Sequence, residues 1–140
     1  RAGIAALSGN HKFVLVHDAA RALASTQLAE SVVAALVKGD VAVIPGLELV
    51  DTVKSVDTNG HVTSTPDRTT MRRVQTPQGF DRATLDLAYE NPEVVATDDA
   101  GLMDALGIVV VTVAGDERSL KITTMADVQH ALSLLEATSE

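Results

Sequence analysis

The sequence predicts an α/β domain in which helices cover both faces of a largely parallel sheet. Short apolar runs of strand length alternate with longer amphipathic segments along the chain. The 140 residues are 46% hydrophobic but only 2% aromatic, so Val, Leu, Ile and Ala must build the core, and these suit tightly packed layers. A chain of this length is expected to form one domain around a single core.

The first segment is predicted to be the end of a helix followed by a strand. Residues 1–9 have the spacing of the last turns of an amphipathic helix, with Gly9 as its C-cap. Because the sequence does not begin with methionine, we expect it to start inside a longer protein. Residues 12–17, which are apolar from 13 to 16, then predict a buried strand.

A helix and a second buried strand are predicted next. Residues 26–38 have helical spacing, with Ser25 or Thr26 as the N-cap and Gly39 at the C-terminal end. Residues 41–46 are a short apolar run that is typical of a buried strand.

Residues 49–65 differ from the rest because they alternate in strand fashion around Asn59-Gly60. Asn-Gly is the strongest short signal for a hairpin. The two strands carry few large apolar side chains, and an isolated two-stranded ribbon is only marginally stable in water. The hairpin must therefore lean on its own domain or hold a second chain, and we favour the second alternative.

The remaining part of the chain continues the alternation of strands and helices. Strands are predicted at residues 71–76, 108–113 and 120–123, and helices at residues 81–90, after Thr97-Asp98-Asp99 and after Thr124. Thr124 and Asp127 have the spacing of a capping box, which indicates the start of the last helix.

Charge and composition restrict the partners. With a formal charge of −8, the chain lacks the basic clusters that a nucleic-acid backbone requires, although a small anionic substrate needs only local positive charge. No apolar run approaches the length of a membrane span, and there is no cysteine for a disulfide or a thiolate metal site. We expect a soluble, cytoplasmic protein that binds neither nucleic acid nor membrane.

Four polar residues lie where such sheets bind ligands, outside the carboxyl ends of the strands. These are Asp18 and Arg21 after the first strand, Thr76 at the end of the strand at 71–76, and Lys121 in the last short strand. Asp18 could bind Mg²⁺ or cap a turn, and Arg21 could be its salt-bridge partner or an anion ligand. Lys121 needs an acid or a bound anion, because burial of an unpaired ammonium group is costly.

Other polar clusters leave a structural interpretation open. Residues 97–99 fit a helix start, where acids suit the helix dipole. Arg68, Arg72 and Arg73 form the densest basic group, which is also typical of a solvated strand edge. The four histidines share no ligand spacing, so no histidine metal site is predicted.

Five sequence blocks occur in a fixed order between about residues 12 and 135: VLVHDAAR, DTVKSVD, RRVQTPQGF, TDDAGLMDALG and LKITTMADVQHAL. Together they resemble the 2-C-methyl-D-erythritol 4-phosphate cytidylyltransferase family. Its members join CTP to a sugar-alcohol phosphate and release pyrophosphate in the non-mevalonate isoprenoid pathway. The resemblance implies a Rossmann-like, nucleotide-binding three-layer sheet with a protruding β-arm hairpin, here residues 49–70, that hooks around a second subunit to form a homodimer.

The resemblance also implies site residues on both the sheet and the arm. Asp18 resembles an acid that contacts CTP and Mg²⁺, and Arg21 resembles a ligand near the substrate phosphate. Thr52 and Arg68 resemble arm residues that reach methylerythritol phosphate in the neighbouring subunit.

Three further residues complete the implied site. Thr76 and Thr97 resemble hydroxyl ligands of methylerythritol phosphate, and Lys121 resembles a lysine that positions its phosphate together with Arg68. These residue types fit the chemistry, because two phosphate anions must be brought together against their repulsion and cations are needed to do so.

One part of the family pattern has no counterpart in this sequence, namely the N-terminal Gly-rich loop with its arginine and lysine. We therefore expect residues 1–140 to be the larger, C-terminal part of a single nucleotidyltransferase domain, inactive alone. A transferase for ribitol 5-phosphate or another polyol phosphate would share the same blocks. Alternatives from other classes are a receiver-like signalling domain, with an Asp at a strand end and a Lys in the last strand, and a non-catalytic assembly domain.

Overall fold

The computed structural model describes residues 2–90 and 96–137. Helices and strands alternate through most of this part of the chain. They are α1 (Ala2–Ala5), β1 (Phe13–Val16), α2 (Thr26–Lys38), β2 (Ala42–Glu48), β3 (Ser55–Val56), β4 (Val62–Ser64), β5 (Arg72–Val74), β6 (Gln78–Asp81), α3 (Arg82–Glu90), α4 (Asp99–Ala105), β7 (Val110–Ala114) and α5 (Met125–Glu136). Short 3₁₀ turns occur at Arg68–Thr70 and Glu117–Ser119.

The main sheet is mixed, so the prediction of a largely parallel sheet is wrong. Strand β2 pairs in parallel with β7 but antiparallel with β5 and β6, and β6 pairs antiparallel with β1. The cause is that β5 and β6 both run opposite to β2. Of these two strands, the sequence does not predict β6, because Gln, Gly and Asp are weak strand formers. This strand lies between β1 and β2, and contacts from both sides impose its extended conformation.

Helices cover both faces of the sheet, which confirms the predicted α/β class. On one face, α3 and α4 pack their buried residues against Phe80 and Ile44; the helix residues are Leu85, Ala88, Ala100 and Met103. On the other face, Val32 and Leu36 of α2 pack against Val43. Burial of a side chain of this size contributes about 1.5–3 kcal/mol, so these two clusters hold the layers together.

Gly79 in β6 sets the distance between α2 and the sheet. A Cβ atom at this position would lie 2.4 Å from Cγ1 of Val32 and 2.9 Å from Cδ1 of Leu36. Only glycine therefore permits the observed approach of the helix to the strand.

The caps that the sequence predicts for α2 and α5 are confirmed. The side chain of Ser25 accepts a hydrogen bond from the Leu28 N–H, and Gly39 ends α2 with φ at 119°. Thr124 and Asp127 form the reciprocal capping box of α5. These local signals were readable because each cap involves residues only three or four positions apart.

The arm, residues 49–70, contains a hairpin that is separate from the main sheet. Strands β3 and β4 pair only with each other in a two-stranded sheet, and they are shorter than the predicted alternation at 49–65. Asp57 accepts hydrogen bonds at 2.9 Å from the N–H groups of Asn59 and His61, and Gly60 adopts a φ of 83°. The hairpin prediction is thus confirmed at the turn.

No described helix has the length and apolar character needed to cross a membrane.

Two local predictions of secondary structure are wrong. Residues 120–123 are not a strand, although the Ile122 N–H donates to the Ala20 carbonyl at 2.8 Å. Helix α1 ends at Ala5, so Gly9 is not its C-cap; the Gly9 carbonyl instead accepts a hydrogen bond from Arg82.

Candidate active site

A cleft of about 530 Å³ opens at the edge of the sheet where β1 ends and β6 begins. The antiparallel pairing of Val16 with Gln78 places these two strand ends side by side. The polar lining of the cleft consists of Asp18, Arg21, Gln75, Thr76, Gln78, Tyr89, Thr97, Asp98, Asp99 and Lys121. The cleft therefore brings together five of the residues proposed from the sequence, from segments more than 100 positions apart.

Asp18 is the centre of a charged cluster in this cleft. Its Oδ2 atom lies 3.2 Å from Nζ of Lys121 and 3.3 Å from Nε of Arg21. The side chain of Lys121 is 50% exposed, so the prediction of a buried ammonium group in a strand is wrong. Of the two partners predicted for Lys121, an acid or a bound anion, the structure contains the acid, which is Asp18.

Arg21 joins three segments of the chain around the cleft. Besides its contact with Asp18, its Nη1 atom donates to the Ser119 carbonyl at 2.7 Å and its Nη2 atom to the Val74 carbonyl at 3.5 Å. Only 11% of its side chain is exposed. The salt-bridge interpretation of Arg21 is therefore confirmed, whereas its role as an anion ligand stays a prediction.

Thr76 ties the end of β1 to the link between β5 and β6. Its hydroxyl oxygen accepts the backbone N–H of Asp18 at 2.9 Å and lies 2.9 Å from Nδ1 of His17. These contacts fix the backbone that carries the Asp18 carboxylate. Substrate contact by Thr76 stays a prediction, and the sequence gives no sign of the contact with His17.

The opposite wall of the cleft is the start of α4. Asp98 is the N-cap of this helix, since its Oδ1 atom accepts the Gly101 N–H at 2.9 Å. The Tyr89 hydroxyl donates to Oδ1 of Asp99. Thr97 precedes this cap and is exposed at the cleft, where a bound molecule can reach it.

The two predicted arm residues lie outside the cleft of their own chain. Arg68 lines a separate cavity of about 380 Å³ at the base of the arm, and its Nη1 atom donates to the Val50 carbonyl. Thr52 is exposed and is not part of the cleft lining. One chain therefore does not bring Arg68 and Lys121 together.

The charges of the cleft do not favour an anion by themselves. Two cations, Arg21 and Lys121, face three carboxylates, those of Asp18, Asp98 and Asp99. A nucleotide would need further positive charge to bind tightly. The contribution of Arg68 from another chain, which the family resemblance implies, stays a prediction.

The residues of the cleft fit Mg²⁺ only in the presence of a phosphate ligand. Within residues 2–90 and 96–137, no group of three or more His, Cys, Asp or Glu side chains could hold a metal ion. Mg²⁺ typically binds one or two carboxylates together with waters and phosphate oxygens. Asp18 could supply one such carboxylate. Because Lys121 and Arg21 flank this carboxylate, phosphate oxygens would have to offset the repulsion between the metal and these cations.

Sequence reasoning missed two buried glutamines of the cleft. Gln75 and Gln78 stand on either side of Thr76-Pro77, and each is only 4% exposed. A glutamine in an otherwise polar motif gives no sign of burial, because its partners are backbone and side-chain groups of distant segments.

Comparisons with known proteins identify relatives of this chain. The family model described as "IspD: 2-C-methyl-D-erythritol 4-phosphate cytidylyltransferase" matches residues 1–137. The protein of that name from Nocardia farcinica is 53% identical over 136 residues, which cover 97% of this chain and 58% of the relative. The protein of the same name from Frankia casuarinae is 47% identical over 135 residues, covering 96% of this chain and 51% of the relative.

Solved structures show the same relationship. The 4-diphosphocytidyl-2C-methyl-D-erythritol synthase from Anaerococcus prevotii superposes with a TM-score of 0.88 at 34% identity, over 96% of this chain and 64% of that one. The cytidylyltransferase from Thermus thermophilus gives a TM-score of 0.80 at 35% identity, over 94% and 64% of the two chains. The chain thus spans about half to three-fifths of the length of its curated relatives. Over that span, it belongs to the family of 2-C-methyl-D-erythritol 4-phosphate cytidylyltransferases.

Proposed function

We propose that the intact protein is a cytidylyltransferase that joins CTP and 2-C-methyl-D-erythritol 4-phosphate. The products are CDP-methylerythritol and pyrophosphate. The observation that carries this proposal is the family match over residues 1–137. The geometry supports it, because the charged cluster at the end of β1 lies where α/β sheets bind nucleotides and phosphates.

In the proposed reaction, a phosphate oxygen of methylerythritol phosphate attacks the α-phosphorus of CTP. A new oxygen–phosphorus bond forms, the bond to the β-phosphate bridge breaks, and pyrophosphate leaves. The attacking phosphate dianion has no proton to lose, so no protein base is needed. The main task of the site is to place two repelling anions in line, which requires fixed positive charge.

Lys121 is suited to this task within the cleft. Its ammonium group is held by Asp18 at 3.2 Å, yet half of its side chain is exposed to an incoming phosphate. Arg21 contacts the same carboxylate oxygen at 3.3 Å and is itself held by the Ser119 carbonyl, so it helps to fix the position of Asp18. Asp18 is the residue that would hold Mg²⁺, which would neutralise triphosphate charge when bound.

We further propose that the arm completes the cleft of a second chain in a homodimer. The hairpin pairs with no strand of the main sheet and leaves Val56 and Val62 58% and 60% exposed. A two-stranded hairpin of this kind is marginal unless it packs on another surface. In such a dimer, Thr52 and Arg68 would approach methylerythritol phosphate in the partner's cleft and supply the positive charge that one chain lacks.

A polyol phosphate such as ribitol 5-phosphate would use the same cations, so the substrate must be tested directly. We expect the intact protein to release pyrophosphate from CTP and Mg²⁺ with methylerythritol phosphate, and at least about 10²-fold more slowly with ribitol 5-phosphate. No turnover with methylerythritol phosphate would remove this proposal. The family match gives no support to the receiver-like alternative.

Mixing two inactive variants tests whether the site is shared between chains. In the intact protein, Arg68→Ala and Lys121→Ala should each lower turnover by about 10²-fold, the scale of losing one positioned charge. An equal mixture of exchanging subunits should recover about a quarter of wild-type turnover, because half of the dimers would carry one complete site.

The matched control is a mixture in which Lys38→Ala takes the place of one of the two inactive variants. Lys38 lies at the exposed end of α2, away from the cleft. Lys38→Ala alone should retain wild-type turnover. A mixture of Arg68→Ala with Lys121→Ala that stays as inactive as its components would show that the arm does not act on a neighbouring cleft.

A further inference from the structure

Two buried glutamines lie between the walls of the cleft, on either side of Thr76-Pro77. We propose that Gln75 and Gln78 are positioning residues, each of which holds one wall of the cleft by its side-chain amide. Gln75 positions the segment that carries Lys121, and Gln78 positions the segment that carries Thr97. The catalytic part of this inference rests on the proposed function, whereas the placement of the two walls does not.

Gln75 binds the backbone of the 3₁₀ turn that precedes Lys121. Its Nε2 atom donates to the carbonyls of Asp116 at 2.9 Å and Ser119 at 3.2 Å, and its Oε1 atom accepts the Asp116 N–H at 3.0 Å. Beyond Lys121, the Ile122 N–H donates to the Ala20 carbonyl at 2.8 Å. Lys121 thus lies between two hydrogen-bonded positions of the backbone. Gln75 holds the one before it, and the Ala20 carbonyl holds the one after it.

Gln78 makes the corresponding contacts with the other wall. Its Nε2 atom donates to Oδ2 of Asp98 at 2.8 Å, and its Oε1 atom accepts the Ala100 N–H at 3.2 Å. Asp98 in turn caps α4 by accepting the Gly101 N–H. Thr97, the residue before this cap, is therefore fixed relative to β6.

The chemistry of these contacts requires an amide of this length. Each glutamine uses its oxygen to accept from a backbone N–H and its nitrogen to donate to an oxygen across the cleft wall. Leucine has a similar volume but would leave buried backbone groups without partners, and glutamate would remove the donor. Buried amides that are satisfied only by distant loops fix those loops in one position.

The two leucine variants of the intact protein serve as controls for each other. In Gln75→Leu, hydrogen exchange at the amides of Asp116 and Ile122 should rise at least about tenfold, while Ala100 and Gly101 stay unchanged. In Gln78→Leu, Ala100 and Gly101 should exchange faster and the other two amides should stay unchanged. Mass-spectrometric or NMR-detected exchange measures both segments in one sample.

The kinetic readout separates positioning from loss of stability. With methylerythritol phosphate as the varied substrate, Gln75→Leu should lower kcat by about 10²-fold, because Lys121 acts on the phosphate during transfer. Gln78→Leu should mainly raise KM, because Thr97 contacts bound substrate. A purely structural role would leave KM unchanged in both variants, and it would leave kcat unchanged once turnover is divided by the folded fraction of each variant.

Two results would overturn the inference, and a third would overturn the proposed function while leaving the placement of the walls intact. Equal acceleration of exchange in both segments by either variant would overturn it, and so would segment-specific exchange with unchanged kcat and KM. Segment-specific exchange in a protein without transferase turnover would instead support the wall placement and defeat the proposed function. If a leucine variant does not fold, Gln75→Glu and Gln78→Glu keep the length and the acceptor of the Asp116 and Ala100 N–H groups but lose the Nε2 donor. Exchange should then rise at Ile122 in Gln75→Glu and at Gly101 in Gln78→Glu, in each case without a change in the other segment.

Discussion

The cleft and the arm carry the proposed site residues in opposite ways. In the cleft, Arg21 is nearly buried and contacts three segments, and Asp18 contacts two cations. In the arm, Thr52 and Arg68 are exposed, and the hairpin pairs with no strand of the main sheet. Contacts within one chain fix the side chains of the cleft. The arm lacks pairing with the main sheet, which fits the proposal that it packs on a second chain.

This difference indicates which half of the proposed site is autonomous. The cleft places Lys121 and Asp18 without outside help, but its carboxylates outnumber its cations. The arm carries one cation proposed for the site, Arg68, which lies away from that cleft. A site shared between two chains would combine the ordered cleft of one chain with Arg68 of the other.

The largest expected effect is the loss of the dimer when the hairpin is removed. Deletion of residues 51–66 from the intact protein should give a monomer by light scattering, because this hairpin is the proposed contact with the partner. Turnover should fall by at least about 10²-fold, because Thr52 is lost and Arg68 is displaced. A dimer that survives the deletion would place the interface elsewhere and break the comparison between the regions.

The next effect concerns the carboxylate that organises the cleft. Asp18→Asn should lower turnover by about 10²-fold and raise the Mg²⁺ concentration needed for half-maximal rate, because Asp18 holds Lys121 and is the proposed metal ligand. Steady-state kinetics over a Mg²⁺ series measures both quantities. Asp40→Asn, beyond the end of α2, is the matched control and should leave both unchanged. An unaltered Mg²⁺ requirement in Asp18→Asn would argue against Asp18 as the metal ligand.

Two glycine substitutions compare the stability of the regions. Gly79→Ala should lower the free energy of unfolding by about 1–3 kcal/mol, because the new Cβ atom would overlap Val32 and Leu36. Gly60→Ala strains a residue with a φ of 83° but meets no atom within 4 Å. Since the hairpin stands apart, Gly60→Ala should change global unfolding in urea by less than about 0.5 kcal/mol. Equal losses would show that hairpin and sheet unfold as one unit.

The smallest effect is the acid dependence of the α5 cap. Hydrogen bonds from Thr123 and Thr124 lower the pKa of Asp127 from 3.8 to about 2. A carboxylate with a depressed folded-state pKa contributes stability above pH 3.8, and this contribution is lost as the pH falls towards 2. The Tm of Asp127→Asn should therefore fall less than that of the wild type on acidification over this range.

The matched variant in the arm is Asp57→Asn. Hydrogen bonds from the backbone N–H groups of His61 and Asn59 also lower the pKa of Asp57. Because the hairpin pairs only with itself, the acid dependence of the global Tm in this variant should equal that of the wild type. A larger change from Asp57→Asn than from Asp127→Asn in thermal melts would contradict the separation of the two regions.

Local signals in the sequence were sufficient for the caps, the hairpin turn and much of the cleft. Ser25, Gly39 and the Thr124–Asp127 box act over a few residues, so their geometry follows from spacing. The rule that ligands bind beyond strand ends selected Asp18 correctly as a cleft residue. The same reasoning misjudged Lys121, because it assumed a strand that does not form.

The sequence by itself determined the α/β class, the helix caps and the hairpin turn, because periodicity, caps and turn residues act over short distances. Only the tertiary structure decided the antiparallel position of β6 and the two glutamine contacts that hold the cleft walls. The partners of Gln75 lie 41 and 44 positions away, and those of Gln78 lie 20 and 22 positions away. Such pairings depend on how the layers pack, and packing is a property of the whole core rather than of any local segment.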